Sequence, residues 1–428
     1  MDNTKLLALS DHPTLNTGFS TITMNILNRL TQEYQYDCAY LGQAIPHPQQ
    51  FPLIDQNTIL KSWDFPPLLN SKKVPSVYLQ DGNAFWFNLI GQAREPYCKD
   101  IIEPTIKSLR PDIFFTLLDT FMVHPWYLTM DFSPAKTVFY FPTDGEPYLP
   151  GGPNACELIL KRMTKAVAMS KHGQRQVKEK HNIDAEYIPH AIDHNVFSPF
   201  TEEEKKLART AWALQDKFVV GCVARNQPRK MMDRTLKAFA KFSKDKEDVV
   251  LLLHMDPDDV AAAFNMNLLI RELKIEHKVL YTGVKYFNGF TYTKMREIYN
   301  LMDIFFLLTS GEGFGIPFIE AMACEVPVIG TNYTTAQEII VEDGQCGEVV
   351  KLSGDDQEQL YSTLTGNMNV ERGMADVADG TKMLNKLYYD VDLRKIYGKT
   401  GRKKVLWQYS WDVVMPQWHE LFQRMVNE

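Results

Sequence analysis

Short apolar runs alternate with amphipathic stretches along most of the chain. The runs that predict strands, because they are rich in β-branched and aromatic residues, are 5–10, 112–118, 136–141, 165–170, 218–224, 248–254, 278–282, 303–309 and 327–330. Between several of them, apolar residues recur at helical spacing, as Phe19, Ile22, Ile26 and Leu30 do. Strands that alternate with helices predict parallel sheets and therefore an α/β fold.

The length of 428 residues exceeds that of a single ordinary core, so two domains are expected. We predict a first domain over residues 1–198, a second over 199–408 and a terminal helix over 409–428. One face of that helix carries its apolar residues, which are Trp411, Val414, Trp418, Leu421, Phe422 and Met425.

Charge and cysteine usage narrow the range of functions. The net charge of −7 does not indicate nonspecific binding of nucleic acid, although a local basic patch is not excluded. The six cysteines form no CxxC pair, which is typical of buried thiols in a reducing compartment. No signal peptide is evident, and no apolar stretch reaches the roughly 18 residues of a membrane helix. The expected location is the cytoplasm.

The stretch 303–338 carries the most specific pattern. A buried strand at Ile304–Leu308 is followed by the Gly-rich turn Gly311–Gly315, and Pro317 then suits the first turn of a helix that ends near Cys324. Such a turn directs backbone N–H groups and a helix N-terminus at one point, which favours an anion and phosphate above all. We therefore predict that Gly313, Phe314 and Gly315 bind a donor phosphate.

Two carboxylates flank this turn, Glu312 in the loop and Glu320 about one turn inside the helix. Each could accept hydrogen bonds from a vicinal diol, one on a hexose and the other on a ribose, which indicates a nucleotide sugar. A plain helix start with two solvated glutamates is the alternative. The stretch from Glu312 to Glu320 resembles the E-x7-E motif of the retaining glycosyltransferase family 4, which has the GT-B fold.

This resemblance implies two doubly wound Rossmann-like domains that face a cleft, with the C-terminal helix crossing back to the first domain. The first domain would bind the acceptor, and the second the nucleotide sugar. Arg225 and Lys230 match the family's Arg-x4-Lys motif, at a strand end where a guanidinium and an ammonium suit a pyrophosphate. The family's glycine after this lysine is Met231 here.

Two positions of the first domain match the family only in part. Gly18 lies where the family has a Gly-rich turn after the first strand, and we predict a donor contact there, with a simple turn as the alternative. Asp144 follows the strand at 136–141, where the family often has a histidine. We predict a catalytic role for Asp144, with a tight Asp-Gly turn as the alternative.

The resulting hypothesis is a retaining hexosyltransferase in which Arg225, Lys230 and the helix dipole stabilise the departing nucleoside diphosphate, so that neither a metal nor a cofactor is needed. Glu312 and Glu320 are expected at an exposed cleft. The segment Asp256–Asp259 predicts a helix cap rather than a metal site. Alternatives are a GT-B sugar-nucleotide epimerase and a noncatalytic nucleotide-sugar or glycan-binding protein. The donor's base and sugar and the acceptor stay open.

Overall fold

The computed structural model describes residues 3–428 except 14, 16, 44–76, 79–83, 86–87, 91–94, 125, 148–154, 286–288, 356–357 and 364–369. The chain folds as two compact units. Unit 1 comprises Met1–Pro142, Pro153–His190 and Asp412–Glu428, and unit 2 comprises Thr143–Gly152 and Ala191–Trp411.

Unit 1 is built on a parallel sheet. The strands of this sheet are β1 (Lys5–Asp11), β2 (Asp37–Gln43), β5 (Asn88–Ile90), β6 (Ile113–Leu117), β7 (Lys136–Phe141), β9 (Lys165–Ala168) and β10 (Glu186–Tyr187), and a separate antiparallel pair is formed by β3 (Val77–Tyr78) and β4 (Ala84–Phe85). The order across the sheet is β10-β9-β7-β6-β1-β2-β5. The apolar side chains of β1 and β6 are buried, as the continuous apolar runs predict.

The helices of unit 1 are α1 (Gly18–Glu33), α2 (Ile102–Leu109), α3 (Thr120–Val123), α4 (Ala155–Arg162), α5 (Lys171–His181) and the terminal helix α13 (Trp411–Asn427). Trp418 of α13 packs edge-on against Phe115 of β6 and Tyr140 of β7, with ring centroids 5.4 and 4.8 Å apart. Lys136 also donates from Nζ to the carbonyl of Met425 at 2.6 Å. The apolar face of the terminal helix is therefore part of the core of unit 1.

Unit 2 has a second parallel sheet, of order β13-β12-β11-β14-β15-β16. Its strands are β11 (Phe218–Val223), β12 (Val249–His254), β13 (Val279–Tyr281), β14 (Ile304–Leu307), β15 (Val328–Thr331) and β16 (Gly347–Val350). The helices of this unit are α6 (Glu202–Ala211), α7 (Met232–Ser243), α8 (Met266–Glu272), α9 (Tyr292–Asn300), α10 (Ile316–Ala323), α11 (Val377–Tyr389) and α12 (Val391–Gln408).

A small antiparallel sheet completes unit 2 and was not expected from the sequence. It joins β17 (Tyr361–Thr363), β18 (Val370–Gly373) and β8 (Glu146–Pro147) in the order β17-β18-β8. The segment that contains β8 follows a strand of unit 1 along the chain, yet it pairs with β18 and so belongs to unit 2.

The predicted fold of two parallel-sheet α/β domains is confirmed. Among the residues that the structure describes, no helix is long and apolar enough to cross a membrane.

Candidate active site

The Gly-rich turn follows β14 as predicted and leads into α10. Gly315 immediately precedes the helix with a φ of 106°, a conformation that favours glycine, and Pro317 lies in the first helical turn. The carbonyl of Phe314 accepts a hydrogen bond from the hydroxyl of Thr335 at 2.6 Å, and the Phe314 ring is buried. Gly313 is partly exposed. The turn is thus fixed on one side and accessible at Gly313.

Glu312 is buried in this turn, at 6% exposure, so the expectation of an exposed carboxylate is wrong. Lys230 donates from Nζ to both carboxylate oxygens at 2.6 and 2.8 Å, and Arg229 donates from Nη1 at 3.0 Å. Burial alone would raise the pKa of Glu312, but the charges of Lys230 and Arg229 outweigh it and lower the pKa to about 2. Glu312 is therefore a carboxylate throughout the physiological range.

The two cations come from the turn Pro228–Lys230, a short 3₁₀ segment after β11. The carbonyl of Arg229 accepts from the backbone N–H of Ser310 at 2.8 Å, and its Nη1 donates to the carbonyl of Gly311 at 3.0 Å. These contacts hold the basic turn against the Gly-rich turn. Met231, at the family's glycine position, adopts a φ of 41° in the left-handed region, a conformation that glycine adopts more readily than other residues.

Lys230 is buried beside Glu312. Burial and the neighbouring charge of Arg229 lower the pKa of Lys230, whereas Glu312 opposes that shift. The structure thus brings the predicted residues Lys230 and Glu312 together.

Arg225, the other basic residue of the predicted motif, makes a different ion pair. Its Nε and Nη2 donate to the two carboxylate oxygens of Asp259 at 2.9 and 3.2 Å. Asp259 lies in the turn after β12, and the next helix, α8, begins at Met266 with Asn265 as its cap. The prediction that Asp256–Asp259 caps a helix is therefore wrong, because the chain needs a longer turn before α8.

Asp144 lies in unit 2, although the sequence analysis placed it in the first domain. Arg372 of β18 approaches its Oδ1 with Nη1 at 2.9 Å, and Arg229 approaches Oδ2 with Nε at 3.6 Å. A Cβ atom at Gly311 would lie 2.0 Å from the carbonyl oxygen of Asp144. Only glycine at position 311 permits this approach of the two segments, and Arg229 consequently links Asp144 with Glu312.

Glu320 lies in α10 and has a quite different environment. The hydroxyl of Tyr299, a fully buried residue of α9, donates to its Oε2 at 2.6 Å. Burial raises the pKa of Glu320 to about 7, although the hydrogen bond from Tyr299 opposes that shift. Burial, with Glu320 as a further cause, keeps the pKa of Tyr299 well above its usual value, so Tyr299 remains a donor.

Gly18 lies in unit 1 as the exposed first residue of α1, where the Thr17 side chain caps the helix. Its predicted donor contact stays a prediction. Within the described residues, no group of three or more His, Cys, Asp or Glu side chains could hold a metal ion.

Sequence reasoning missed Arg229, Arg372 and Tyr299. Arg229 is adjacent to Lys230, so a second basic residue in the same turn was visible in the sequence. Arg372 is 228 residues from its partner Asp144 along the chain, and Tyr299 is 21 residues from its partner Glu320, so no local pattern reveals these contacts.

Comparison with known proteins bears on this arrangement. Residues 204–364 match a family model described as "Glycosyl transferases group 1". All of these matched residues lie in unit 2. The matched residues include the basic turn, the Gly-rich turn and α10, and the predicted resemblance is confirmed at this level.

Curated relatives with similar sequences include a synthase and a mannosyltransferase by name. The chain is 23% identical to N-acetyl-alpha-D-glucosaminyl L-malate synthase of Bacillus anthracis over 263 residues, 61% of this chain and 60% of the relative. It is 25% identical over 276 residues to GDP-mannose-dependent monoacylated alpha-(1-6)-phosphatidylinositol monomannoside mannosyltransferase of Corynebacterium glutamicum, 62% of this chain and 64% of the relative. The chain thus matches less than two thirds of the length of these two relatives.

Solved structures of glycosyltransferases share the fold over nearly the whole chain. A glycosyltransferase from Rickettsia africae superposes with a TM-score of 0.70 at 16% identity, covering 100% of both chains. Alr3699/HepE of Anabaena, in complex with UDP and glucose, superposes with a TM-score of 0.69 at 13% identity, covering 99% of this chain and 100% of that one. These likenesses confirm the GT-B fold.

Proposed function

We propose that the protein transfers a hexose-type sugar from a nucleoside-diphosphate sugar to an acceptor hydroxyl, with retention of configuration and without a metal. The observation that carries this proposal is the ion-paired cluster of Glu312, Lys230 and Arg229 at the N-terminal end of α10. It joins cations, a helix N-terminus and a buried carboxylate within one glycosyltransferase group 1 domain.

The cations would stabilise the leaving group. The side chains of Lys230, Arg229, Arg372, Glu312 and Asp144 carry three positive and two negative charges, an excess that suits a diphosphate. Negative charge grows on the diphosphate as the bond to the sugar breaks, and preorganised donors at that point lower the barrier. Lys230 would then be shared between Glu312 and the phosphate.

The two glutamates would bind different hydroxyl groups. Glu312 has a pKa of about 2 and accepts hydrogen bonds only, so it suits the transferred sugar beside the diphosphate. Glu320 has one oxygen fixed by Tyr299 and would accept from the ribose with the other. Gly313, Phe314 and Gly315 would offer backbone groups to the phosphates, as the helix N-terminus favours.

Asp144 contributes through Arg229 in this proposal. Its two guanidinium neighbours make it a better anchor for Arg229 than a proton acceptor. The departing phosphate would instead help to deprotonate the acceptor. The relatives support the donor class, because one of them is named as GDP-mannose-dependent and a structural neighbour was solved with UDP and glucose.

The test is a screen of UDP- and GDP-sugars against the purified protein, with free nucleoside diphosphate and the released sugar measured together. Slow donor hydrolysis, with the anomer retained in the first product, supports a retaining transferase. A changed sugar still attached to the nucleotide would instead identify an epimerase, and binding without turnover a noncatalytic protein.

The metal requirement is tested in the same assay. We expect turnover to persist in EDTA, because cationic side chains take the place of an ion at the diphosphate. Loss of turnover in EDTA that magnesium or manganese restores would contradict the metal-free mechanism.

A further inference from the structure

The turn Asp256–Asp259 has no part in the proposed chemistry so far, and it contributes the buried carboxylate of an ion pair with Arg225. The carboxylate of Asp259 is only 1% exposed and accepts from both Nε and Nη2 of Arg225. Its Oδ1 also accepts from the backbone N–H of Ala261 at 2.8 Å. Both oxygens of Asp259 are therefore engaged, and the carboxylate is fixed by its own turn.

The sheet brings the pair together at a functional edge. Arg225 follows β11 and Asp259 follows β12, and these strands are parallel neighbours with Val223 opposite His254. The turn that carries Lys230 also follows β11. In open parallel sheets, ligands bind at the carboxyl ends of the strands. Arg225 follows the carboxyl end of β11 and therefore lies where a donor is expected.

The ion pair restricts the guanidinium without hiding it. Two parallel hydrogen bonds fix the plane of a guanidinium, whereas an unpaired arginine side chain samples many rotamers. The Arg225 side chain is 32% exposed, while Asp259 is enclosed. A group that is already ordered loses less conformational entropy when it binds an anion, and its affinity is higher for that reason.

We propose that Asp259 is a positioning residue, which holds the guanidinium of Arg225 in the orientation that receives the diphosphate of the nucleotide sugar. This inference rests on the proposed function and extends it, since it adds Arg225, which follows the same strand as Lys230, to the cations that contact the diphosphate. It gives the acidic turn a role other than a helix cap or a metal site.

The experiment is a double-mutant cycle on nucleotide affinity, with UDP and GDP as the probes in isothermal titration calorimetry. The proteins are the wild type, Arg225→Ala, Asp259→Asn and the double variant. Because hydrogen bonds to charged groups contribute strongly to binding, each single change should lower the affinity for the nucleotide about tenfold or more. The double variant should bind no more weakly than Arg225→Ala, because Asp259 acts only through Arg225.

Thermal stability provides a second readout with the opposite pattern. Arg225→Ala leaves the Asp259 carboxylate buried without this partner and should lower the melting temperature. Asp259→Asn on that background removes the buried charge, so the double variant should regain stability without regaining affinity. If the ion pair had only a structural role, affinity would follow stability, and the double variant would regain both together.

Asp303→Asn is the matched control. Asp303 forms a comparable pair with Arg209, at 2.8 Å between Oδ2 and Nη2, and it also accepts from the backbone N–H of Val219. This pair lies at the amino ends of β11 and β14, at the opposite end of the sheet from the carboxyl ends where the donor is expected. Asp303→Asn should lower stability and leave nucleotide affinity at the wild-type value.

Two results overturn the inference while the proposed function stands: weakened binding in Arg225→Ala with wild-type binding in Asp259→Asn, or a double variant that multiplies the two single losses. Wild-type affinity in Arg225→Ala would show that Arg225 does not contact the nucleotide, and this result would overturn the inference as well. If Asp259→Asn does not fold, Asp259→Glu takes its place in the cycle, because it keeps the charge but moves the carboxylate away from the guanidinium; weakened binding in this variant supports the inference, and wild-type binding overturns it.

Discussion

Glu312 and Glu320 lie within one short motif, but their surroundings are opposite. Two cations hold Glu312 as a carboxylate with a pKa of about 2, whereas burial raises the pKa of Glu320 to about 7 beside a tyrosine hydroxyl. The first is charged at any physiological pH, and the second changes its protonation there. The comparison shows that two identical residues of one motif can differ in protonation, because a different element packs against each of them.

Loss of Lys230, the lysine that pairs with Glu312, should have the largest effect on turnover. We expect Lys230→Ala to lower turnover about a hundredfold or more, because a preorganised charge at the leaving group is lost. Stability should fall too, because Glu312 keeps only Arg229 of its two cationic partners. Donor-saturation kinetics together with thermal melting measure both effects.

Lys278→Ala is the control for that variant. Lys278 is also a buried lysine of unit 2, but its Nζ donates at 2.6 Å to the backbone carbonyls of Ser243 and Lys246. This change should cost stability while the folded protein keeps its turnover. Equal loss of turnover in both variants would mean that Lys230 has a structural role only.

The stability of the protein should respond to Glu320 in a pH-dependent way. The folded pKa of about 7 exceeds the usual value of 4.5, so ionisation of Glu320 costs stability as pH rises through this window. Glu320→Gln should match the wild type near pH 4.5 and exceed its stability at pH 8, by on the order of 1 kcal/mol, because the side chain of Glu320 is partly exposed and water screens the effect. Thermal melts at both pH values measure the difference.

Two titratable groups near Glu320 are the Tyr299 hydroxyl and the Cys324 thiol, whose pKa is itself raised by burial and by Glu320. Glu312 gives the opposite pH dependence of stability, because its stabilising contribution is present above pH 4.5 and is lost as pH falls towards 2. A stability gain of Glu320→Gln that is equal at pH 4.5 and 8 would contradict the raised pKa.

A smaller effect is expected from Tyr299→Phe. The change removes the hydrogen bond that orients Glu320, so the donor KM should rise several-fold at constant kcat, in line with the loss of one hydrogen bond of about 1 kcal/mol. The pKa of Glu320 should rise further, since that hydrogen bond lowers it.

Tyr388→Phe is the control, because Tyr388 donates to the carboxylate of Asp248 at 2.9 Å just before β12, at the other end of the sheet. A raised KM in Tyr388→Phe as well would show that the Tyr299 effect is a general loss of rigidity.

Local patterns predicted the parts of unit 2 that depend on neighbouring residues. The predicted strand at 218–224 is observed at Phe218–Val223, and the helix predicted to end near Cys324 ends at Ala323. Continuous apolar runs and the sequence Gly315-Ile316-Pro317 are sufficient for this, since they indicate burial and the start of a helix directly. The proximity of Lys230 to Glu312 also follows from adjacent strand ends.

Long-range pairing was beyond the same reasoning. The short strand at Glu146–Pro147 pairs with residues 370–371, and nothing local distinguishes it from a loop. The acidic turn at 256–259 has the composition of a helix cap, but its carboxylates pair with Arg225 and Lys285. Charged residues satisfy one another through space, so the sequence reveals the charges but not the partners.

The most direct test of the central claim is donor-saturation kinetics of Glu312→Gln and Glu320→Gln side by side, with circular dichroism as a folding control. Glu312→Gln should mainly lower kcat, because its contact is to the sugar whose charge changes as the bond breaks. Glu320→Gln should mainly raise the donor KM, because a ribose contact is the same before and during the reaction. A wild-type kcat in folded Glu312→Gln would contradict the account and leave the pair of glutamates with a structural role.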